Sequence, residues 1–88
     1  MMGSKPDRIE GRVRSFLVEH HPASRREIEL LDPDEPLWSV VSSMELLDLV
    51  DFIETAFRIE VRPLDYVPEN FGTLACITRF IVERTGAT

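Results

Sequence analysis

Two adjacent serines, Ser42 and Ser43, are the residues of this sequence best placed for covalent chemistry. Glu45 follows Ser42 by three residues and an apolar run comes next, which is the pattern of a capping box at a helix start. Ser42 is predicted to cap that helix, and Ser43 to open it with its hydroxyl outward. Free N–H groups and the helix dipole at such a start favour a bound or covalent phosphate. Ser43 is therefore a candidate for an attached phosphodiester, the alternative being that both serines only begin the helix.

Other candidates for catalysis or metal binding have weaker support. His20 and His21 have no cysteine or spaced carboxylate beside them, so we expect both to be exposed to solvent rather than to bind a metal. Cys76 has no predicted histidine near it, which favours a packing or partly buried thiol over a nucleophile. One acidic loop has the carboxylate density of a calcium loop but lacks the glycine and the bidentate glutamate of an EF-hand. Its members are Asp32, Asp34 and Glu35.

The helix that Ser43 opens is predicted to run to about Phe57 or Arg58. On a helical wheel, its apolar residues form one stripe that we expect to be buried. The stripe consists of Leu46, Leu49, Val50, Ile53 and Phe57. The opposite side, expected to face water, includes Met44, Leu47, Asp48 and Asp51. No cleft is expected around the two carboxylates, so acid–base catalysis by this pair is disfavoured.

Two further long helices accompany this one. The first is expected to follow a Ser4 cap and to end near His20–His21, because Pro22 comes next. Its buried residues, at helical spacing, are predicted to be Ile9, Val13, Phe16 and Leu17. The last helix is expected to begin after a Thr73 cap and to end before Gly86.

The intervening segments are less regular. After Pro22 we expect a long loop with a turn of helix over Arg26–Leu31, and another helical turn over Pro63–Val67. The end of the long loop is expected to be anchored to the core by Trp38, Val40 and Val41. The predicted fold is all-α, a small antiparallel four-helix bundle of three main helices and one short helix, with a long first loop.

Length and composition limit the classes of protein. The chain has 88 residues, enough for one domain with a modest core, so residues 1–88 are assigned to a single domain, with no weight on residues 1–3. One cysteine excludes an internal disulfide framework. Together with the lack of a signal-peptide pattern, it predicts a reducing, cytoplasmic location. No apolar run has the length of a membrane span.

Acidic residues are concentrated in the middle of the chain. The net charge is −6, but residues 1–30 have six Lys/Arg and five Asp/Glu, whereas residues 32–69 have ten Asp/Glu against only Arg58 and Arg62. Binding to nucleic acid or to anionic lipid is therefore not expected. The acidic surface is either merely solvated or a docking surface that attracts basic partners.

Several of these segments together resemble the acyl carrier protein family. The stretch Ser39–Val50 is similar to the attachment site of that family, which reads Gly-Leu-Leu-Asp-Ser-Leu before an acidic-aliphatic helix. Phe-Arg-Ile-Glu-Val at 57–61 resembles the Phe-Gly-Ile-Glu-Ile run of discrete carrier proteins, and Pro-Glu-Asn-Phe at 68–71 resembles their element before the last helix. The likeness covers residues 37–82 well and the first helix by pattern only.

The resemblance implies that the protein is a four-helix carrier domain without catalytic activity of its own, and not an enzyme. In that family a phosphopantetheinyl transferase attaches 4′-phosphopantetheine from coenzyme A to the serine, here Ser43, and the arm carries acyl or aminoacyl groups as thioesters. The next helix docks on basic patches of the activating, condensing or transferase enzymes of fatty acid, polyketide or related biosynthesis. The corresponding residues here are Met44, Leu47, Asp48 and Asp51. Candidates to line a space for longer cargo are Ile53, Phe57 and Ile77. The alternative, that each of them only packs in the core, is favoured.

The sequence also departs from the family pattern. Ser42 stands where an aspartate is usual, Ser39 replaces a glycine, and Arg58 replaces a frequent glycine. Ser42 retains the capping function but lacks the carboxylate that transferases commonly recognise. A carrier-like interaction module that is never pantetheinylated therefore remains the alternative, and a small helical enzyme or metal protein is disfavoured. A monomer is expected in either case.

Overall fold

A computed structural model describes residues 5–86, and this part of the chain is all-α, as predicted, with no β-strand. Its helices are α1 (Lys5–His20), α2 (Arg25–Leu30), α3 (Ser43–Phe57), α4 (Pro68–Phe71) and α5 (Leu74–Thr85). Single 3₁₀ turns occupy Pro22–Ser24, Leu37–Ser39 and Pro63–Asp65. The predicted Ser4 cap lies outside the described residues.

The three long helices share one hydrophobic core, in which α1 packs against α2, α3 and α5. Helix α1 contributes three of the four residues that the helical spacing predicted, since Val13 and Leu17 are completely buried and Ile9 nearly so. The fourth, Phe16, is only half-buried against this core. From α3 the core takes Leu49 and Ile53, which are also completely buried. The members from α5 are Leu74, Ile77, Phe80 and Ile81. The remaining residues of the α3 stripe, Leu46, Val50 and Phe57, are only half-buried against this core.

Arg14 holds the long connection after α1 in place. Its Nη1 donates to the carbonyl oxygens of Ile28 at 2.7 Å and Leu31 at 2.8 Å, while Nη2 pairs with Glu10 at 2.7 Å. These carbonyls lie at the end of α2, where helical backbone acceptors lack partners within the helix. Helix α2 begins and ends one residue before the predicted Arg26–Leu31 turn.

Two backbone hydrogen bonds fix the rest of that connection to the C-terminal half. Ala75 donates to the carbonyl of Pro33 at 2.9 Å, and Leu37 donates to the carbonyl of Gly72 at 2.8 Å. Leu37 is thereby completely buried beside α4 and α5. The long loop is thus tied to the core by backbone groups that no side-chain pattern indicates.

The expected aromatic anchor of that loop is wrong. Val41 is buried and Val40 half-buried, but the Trp38 side chain is 69% exposed. The 3₁₀ turn over Leu37–Ser39 buries its first residue and thereby turns the next one outward. Trp38 is therefore a surface residue close in sequence to Ser43.

Helix α3 ends in a strained residue. Arg58 caps its C-terminus in the left-handed conformation with φ 57° and ψ 48°, a position that usually favours glycine. The segment after it is held by the Glu54 carboxylate, which accepts from the backbone N–H of Val61 at 2.8 Å. The predicted turn at Pro63–Val67 is the 3₁₀ turn Pro63–Asp65, and a separate helix, α4, follows it.

An ion pair joins that turn to the last helix. Arg84 of α5 donates to both carboxylate oxygens of Asp65, with distances of 2.6 and 3.1 Å. The hydrogen bond from Arg84 lowers the pKa of Asp65, and the backbone N–H of Arg62 lowers it further. The same bond raises the pKa of Arg84.

Candidate functional site

The start of α3 is a complete capping box. The Ser42 hydroxyl accepts from the backbone N–H of Glu45 at 3.2 Å, and the Glu45 carboxylate accepts from the backbone N–H of Ser42 at 2.7 Å. Two backbone donors that would otherwise lack partners are therefore satisfied reciprocally. The predicted cap is confirmed, and Ser43 is the first helical residue.

Glu45 also connects this helix start to the end of α1. Its second carboxylate oxygen lies 2.9 Å from Nδ1 of His21, whose side chain is only 12% exposed. The expectation that both histidines face solvent is therefore correct for His20 and wrong for His21. No local sequence pattern indicates this contact, because His21 and Glu45 are 24 positions apart and meet only through the fold. The Nε2 atom of His21 is buried without a hydrogen-bond partner in the described part of the chain.

Ser43 itself is exposed, as predicted. The backbone N–H groups of Ser43 and Met44 lie in the first turn of α3, where no carbonyl of the helix can accept from them. A fifteen-residue helix therefore presents free donors and the positive end of its dipole beside an accessible hydroxyl. The arrangement suits an oxygen that bears a phosphate ester.

The four residues expected on the outer side of α3 are all at the surface. Met44 is 74% and Leu47 50% exposed, and Asp48 and Asp51 are exposed as well. Two apolar side chains thus lie among carboxylates, within two turns of Ser43. Such a mixture is typical of a small contact surface, in which apolar groups supply burial and charges supply orientation. We refer to these four residues as the α3 face.

A narrow apolar groove opens next to the same end of α3. Its volume is about 220 Å³, and its lining includes Trp38, Leu46, Tyr66, Val67 and Phe71. Gly72 also lines the groove, and an added Cβ at this position would lie 2.6 Å from the carbonyl oxygen of Pro68. We name it the Trp38 groove.

The lining of this groove does not include the residues that were predicted to surround longer cargo. The candidates for lining such a space include Ile53 and Ile77, but both are completely buried core residues. Phe57 is half-buried and stacks under the guanidinium of Arg12, which lies 4.8 Å from the ring centroid. Ile53 and Ile77 are therefore ordinary core residues, which is the alternative that applied to all three.

Other reactive groups do not converge near Ser43. Cys76 is half-buried in α5, as expected, with its Sγ 3.9 Å from Arg79. Across the described residues, no three His, Cys, Asp or Glu side chains lie close enough to hold a metal ion. In the acidic loop, Asp32 and Glu35 instead accept hydrogen bonds from nearby backbone N–H groups at 2.8–2.9 Å. No helix between residues 5 and 86 has the length and apolar character of a membrane span.

Comparisons of the chain with protein families, with curated proteins and with solved structures find no match.

Proposed function

We propose that the protein is an acyl carrier protein, a four-helix carrier domain that holds acyl or aminoacyl intermediates as thioesters on 4′-phosphopantetheine attached to Ser43. The observation that supports it best is the start of α3. An exposed serine hydroxyl occupies the first position of a capped helix and adjoins a mixed apolar and acidic face. The carrier domain itself has no catalytic role and brings its cargo to enzymes that do.

The residues around Ser43 fit a phosphodiester. The Ser43 oxygen would bond to the β-phosphorus of coenzyme A while the P–O bond to the α-phosphate breaks. The hydroxyl proton would pass to a base of the transferase, and adenosine 3′,5′-bisphosphate would depart. The backbone donors of Ser43 and Met44 and the α3 dipole then face the ester anion. Both oxygens of Glu45 are already bonded, to Ser42 and His21, which holds the nearest carboxylate in the cap. When bound, the arm supplies a terminal thiol that forms the thioester.

The α3 face fits partners with basic docking patches. The first partner is the phosphopantetheinyl transferase, and the others are acyl- or aminoacyl-activating, condensing or transferase enzymes. Met44 and Leu47 would be covered in each complex, while Asp48 and Asp51 orient the encounter. Because a carrier binds several enzymes in turn, small contacts of moderate affinity suit this use.

The Trp38 groove is the best place for cargo close to the protein. It is apolar and shares a helix turn with the attachment point, since Leu46 follows Ser43 by three residues. A short acyl or aryl group would be shielded there from water and released on docking.

Transfer of the arm tests the proposal directly. The purified protein is incubated with coenzyme A, Mg²⁺ and a promiscuous phosphopantetheinyl transferase, and intact mass is measured. We expect the parent chain and Ser42→Ala to gain one phosphopantetheine, and Ser43→Ala to gain none. A gain that persists in Ser43→Ala assigns the arm to another residue and contradicts the proposed site.

The second candidate is an interaction module that is never modified. It is favoured by Ser42, because the aspartate usual before the attachment serine is absent while the cap it would form is complete. The module would use the α3 face without an arm. Failure of modification in the parent chain, also with Ser42→Asp, would support this candidate over the carrier.

A further inference from the structure

A second concave surface lies between α1 and α3 and does not include Ser43. Its two sides are the outer turns of α1 and the ring of Phe52 from α3. The helices are antiparallel here, because His21 at the end of α1 meets Glu45 at the start of α3, and Arg12 meets Phe57 at the other end. We call this surface the α1–α3 groove.

The floor of the groove is aromatic. Phe16 stacks on Phe52 with ring centroids 4.4 Å apart and on His20 with centroids 4.0 Å apart. Both phenylalanines are only half-buried, so part of each ring remains in contact with water. Gly11 leaves a gap in the α1 side, since no atom lies within 4 Å of the position of an added Cβ. The backbone of α1 is therefore open to close approach from outside.

One end of the groove carries arginines that form no ion pair in the part of the chain that the structure describes. Among the described residues, the guanidinium groups of Arg8, Arg12 and Arg58 form no ion pair. Arg8 and Arg12 line the groove, and Arg58 directly follows Phe57, over which Arg12 lies. Arg26 and Arg79, which do not line the groove, also form none within residues 5–86, whereas ion pairs are formed by Arg14, Arg25, Arg62 and Arg84.

This charge is unusual in a chain with six more acidic than basic residues. Arg8 and Arg12 are four residues apart on one helix, an arrangement in which like charges repel each other. An anionic group beside them would relieve this repulsion. The opposite end of the groove is lined by Glu19, so an anion is favoured at one end only.

We propose that the α1–α3 groove is a docking site for a helical segment of a partner protein, with acidic residues at one end and apolar side chains along its inner face. The acidic end would lie beside Arg8 and Arg12, and the apolar side chains would cover Phe16 and Phe52. From Arg8 to His20 the groove follows α1 for about 18 Å, which matches roughly three helical turns. Docking therefore adds a third helix to an antiparallel pair, with orientation set by charge.

The site is independent of the proposed carrier function, since its lining residues include neither Ser43 nor any residue of the α3 face. The two surfaces also differ in the charge of the partner that they attract. The α3 face attracts basic surfaces, whereas the α1–α3 groove attracts an acidic segment.

A pair of synthetic peptides tests this site. The probe is a fluorescein-labelled helical peptide of about fourteen residues, with glutamates in its first two turns and Leu and Phe on one face. Its match has lysines in place of the glutamates. Binding to the full chain is followed by fluorescence anisotropy at about 0.05 M and about 0.3 M salt. We expect the acidic peptide to bind at least about tenfold more tightly than the basic one, and more weakly at high salt.

Three variants locate the contact. Arg8→Glu/Arg12→Glu is expected to weaken acidic-peptide binding by about tenfold or more. Arg25→Glu/Arg26→Glu makes the same change in net charge on α2 and should weaken it by less than about threefold. Gly11→Leu leaves the charge unchanged and fills the gap, so it should also reduce binding, and its thermal unfolding shows that the fold is retained.

Four results would overturn the proposal. The first is equal binding of the two peptides, and the second is an equal effect of the α1 and α2 double variants. The third is binding of phosphatidylserine vesicles, lost in Arg8→Glu/Arg12→Glu, without peptide binding, which would assign the groove to a lipid surface. The fourth is self-association in sedimentation experiments, lost in the same variant, without peptide binding, which would assign it to a second copy of the chain.

Discussion

Substitution of Glu45 by alanine tests whether one carboxylate organises the start of α3. Glu45 accepts from the backbone N–H of Ser42 at 2.7 Å and pairs with Nδ1 of His21 at 2.9 Å. Hydrogen bonds to charged groups contribute roughly 1.5–3 kcal/mol, and the 30% exposure of the Glu45 side chain reduces that figure. His21 would keep no partner at either ring nitrogen, because Nε2 already lacks one.

We expect Glu45→Ala to lower the free energy of unfolding by about 2 kcal/mol. In a domain of this size, 1 kcal/mol corresponds to roughly 4–8 °C, so the melting temperature should fall by about 10 °C. Circular dichroism during heating at neutral pH measures both quantities. The matched control is Glu19→Ala, which removes an exposed glutamate from α1 and should change stability by less than about 0.5 kcal/mol.

A double-mutant cycle separates the cap from the bridge to α1. His21→Ala removes only the contact between helices, whereas Glu45→Ala removes this contact and the bond to Ser42. If the pair interacts as the distance indicates, the combined variant should lose about 1 kcal/mol less than the sum of the single variants. If Glu45→Ala is no more destabilising than Glu19→Ala, or if the coupling energy is zero, Glu45 does not organise the start of α3.

Three further predictions concern backbone conformation and charge. Gly11→Ala should raise the free energy of unfolding by about 0.5–1 kcal/mol, because the new methyl group meets open space within α1. Gly72→Ala should lower it, because its Cβ would lie 2.6 Å from the Pro68 carbonyl oxygen. Chemical denaturation of both variants measures the two changes. Arg58→Gly should raise stability by about 0.5–1 kcal/mol, since it removes the left-handed strain, and an unchanged or lower melting temperature would contradict this. The hydrogen bond from Arg84 lowers the folded-state pKa of Asp65, so its stabilising effect is present above the unfolded pKa of about 4 and is lost as pH falls through the folded value. The stability difference between the parent and Arg84→Gln, from urea unfolding at several pH values, should therefore shrink below about pH 4.

The long helices were predictable because their signals are local. Capping residues, apolar spacing and a terminal glycine lie within a few positions of the backbone groups that they affect. The hydroxyl of Thr73, for example, accepts from the backbone N–H of Cys76 at 3.0 Å, as its position predicted, and Gly86 ends α5 in the left-handed conformation. The exposed α3 face follows from the same periodicity.

Helix α4 and the fixed course of the long loop were not predictable in this way. A four-residue helix has no apolar period, and α4 instead depends on contacts such as the Asn70 amide donating to the Asp65 carbonyl at 2.7 Å. Arg14 bonds to carbonyls at least 14 residues away, a pairing that its own helix does not indicate. The outward side chain of Trp38 likewise follows from the burial of its neighbour Leu37, which only the packed fold determines.

Ser43 and the arginine end of the α1–α3 groove lie at opposite ends of α3, and this separation makes the failures of the two proposals distinguishable. Ser43 opens the helix and Phe57 closes it, a distance of about 21 Å along the axis. An arm on Ser43 would add negative charge at the acidic end, more than two Debye lengths from Arg12 at physiological ionic strength. Modification should therefore leave the affinity of the acidic peptide for the α1–α3 groove unchanged within about twofold. Peptide binding without modification would reject the carrier and keep the groove, whereas modification without peptide binding would do the reverse.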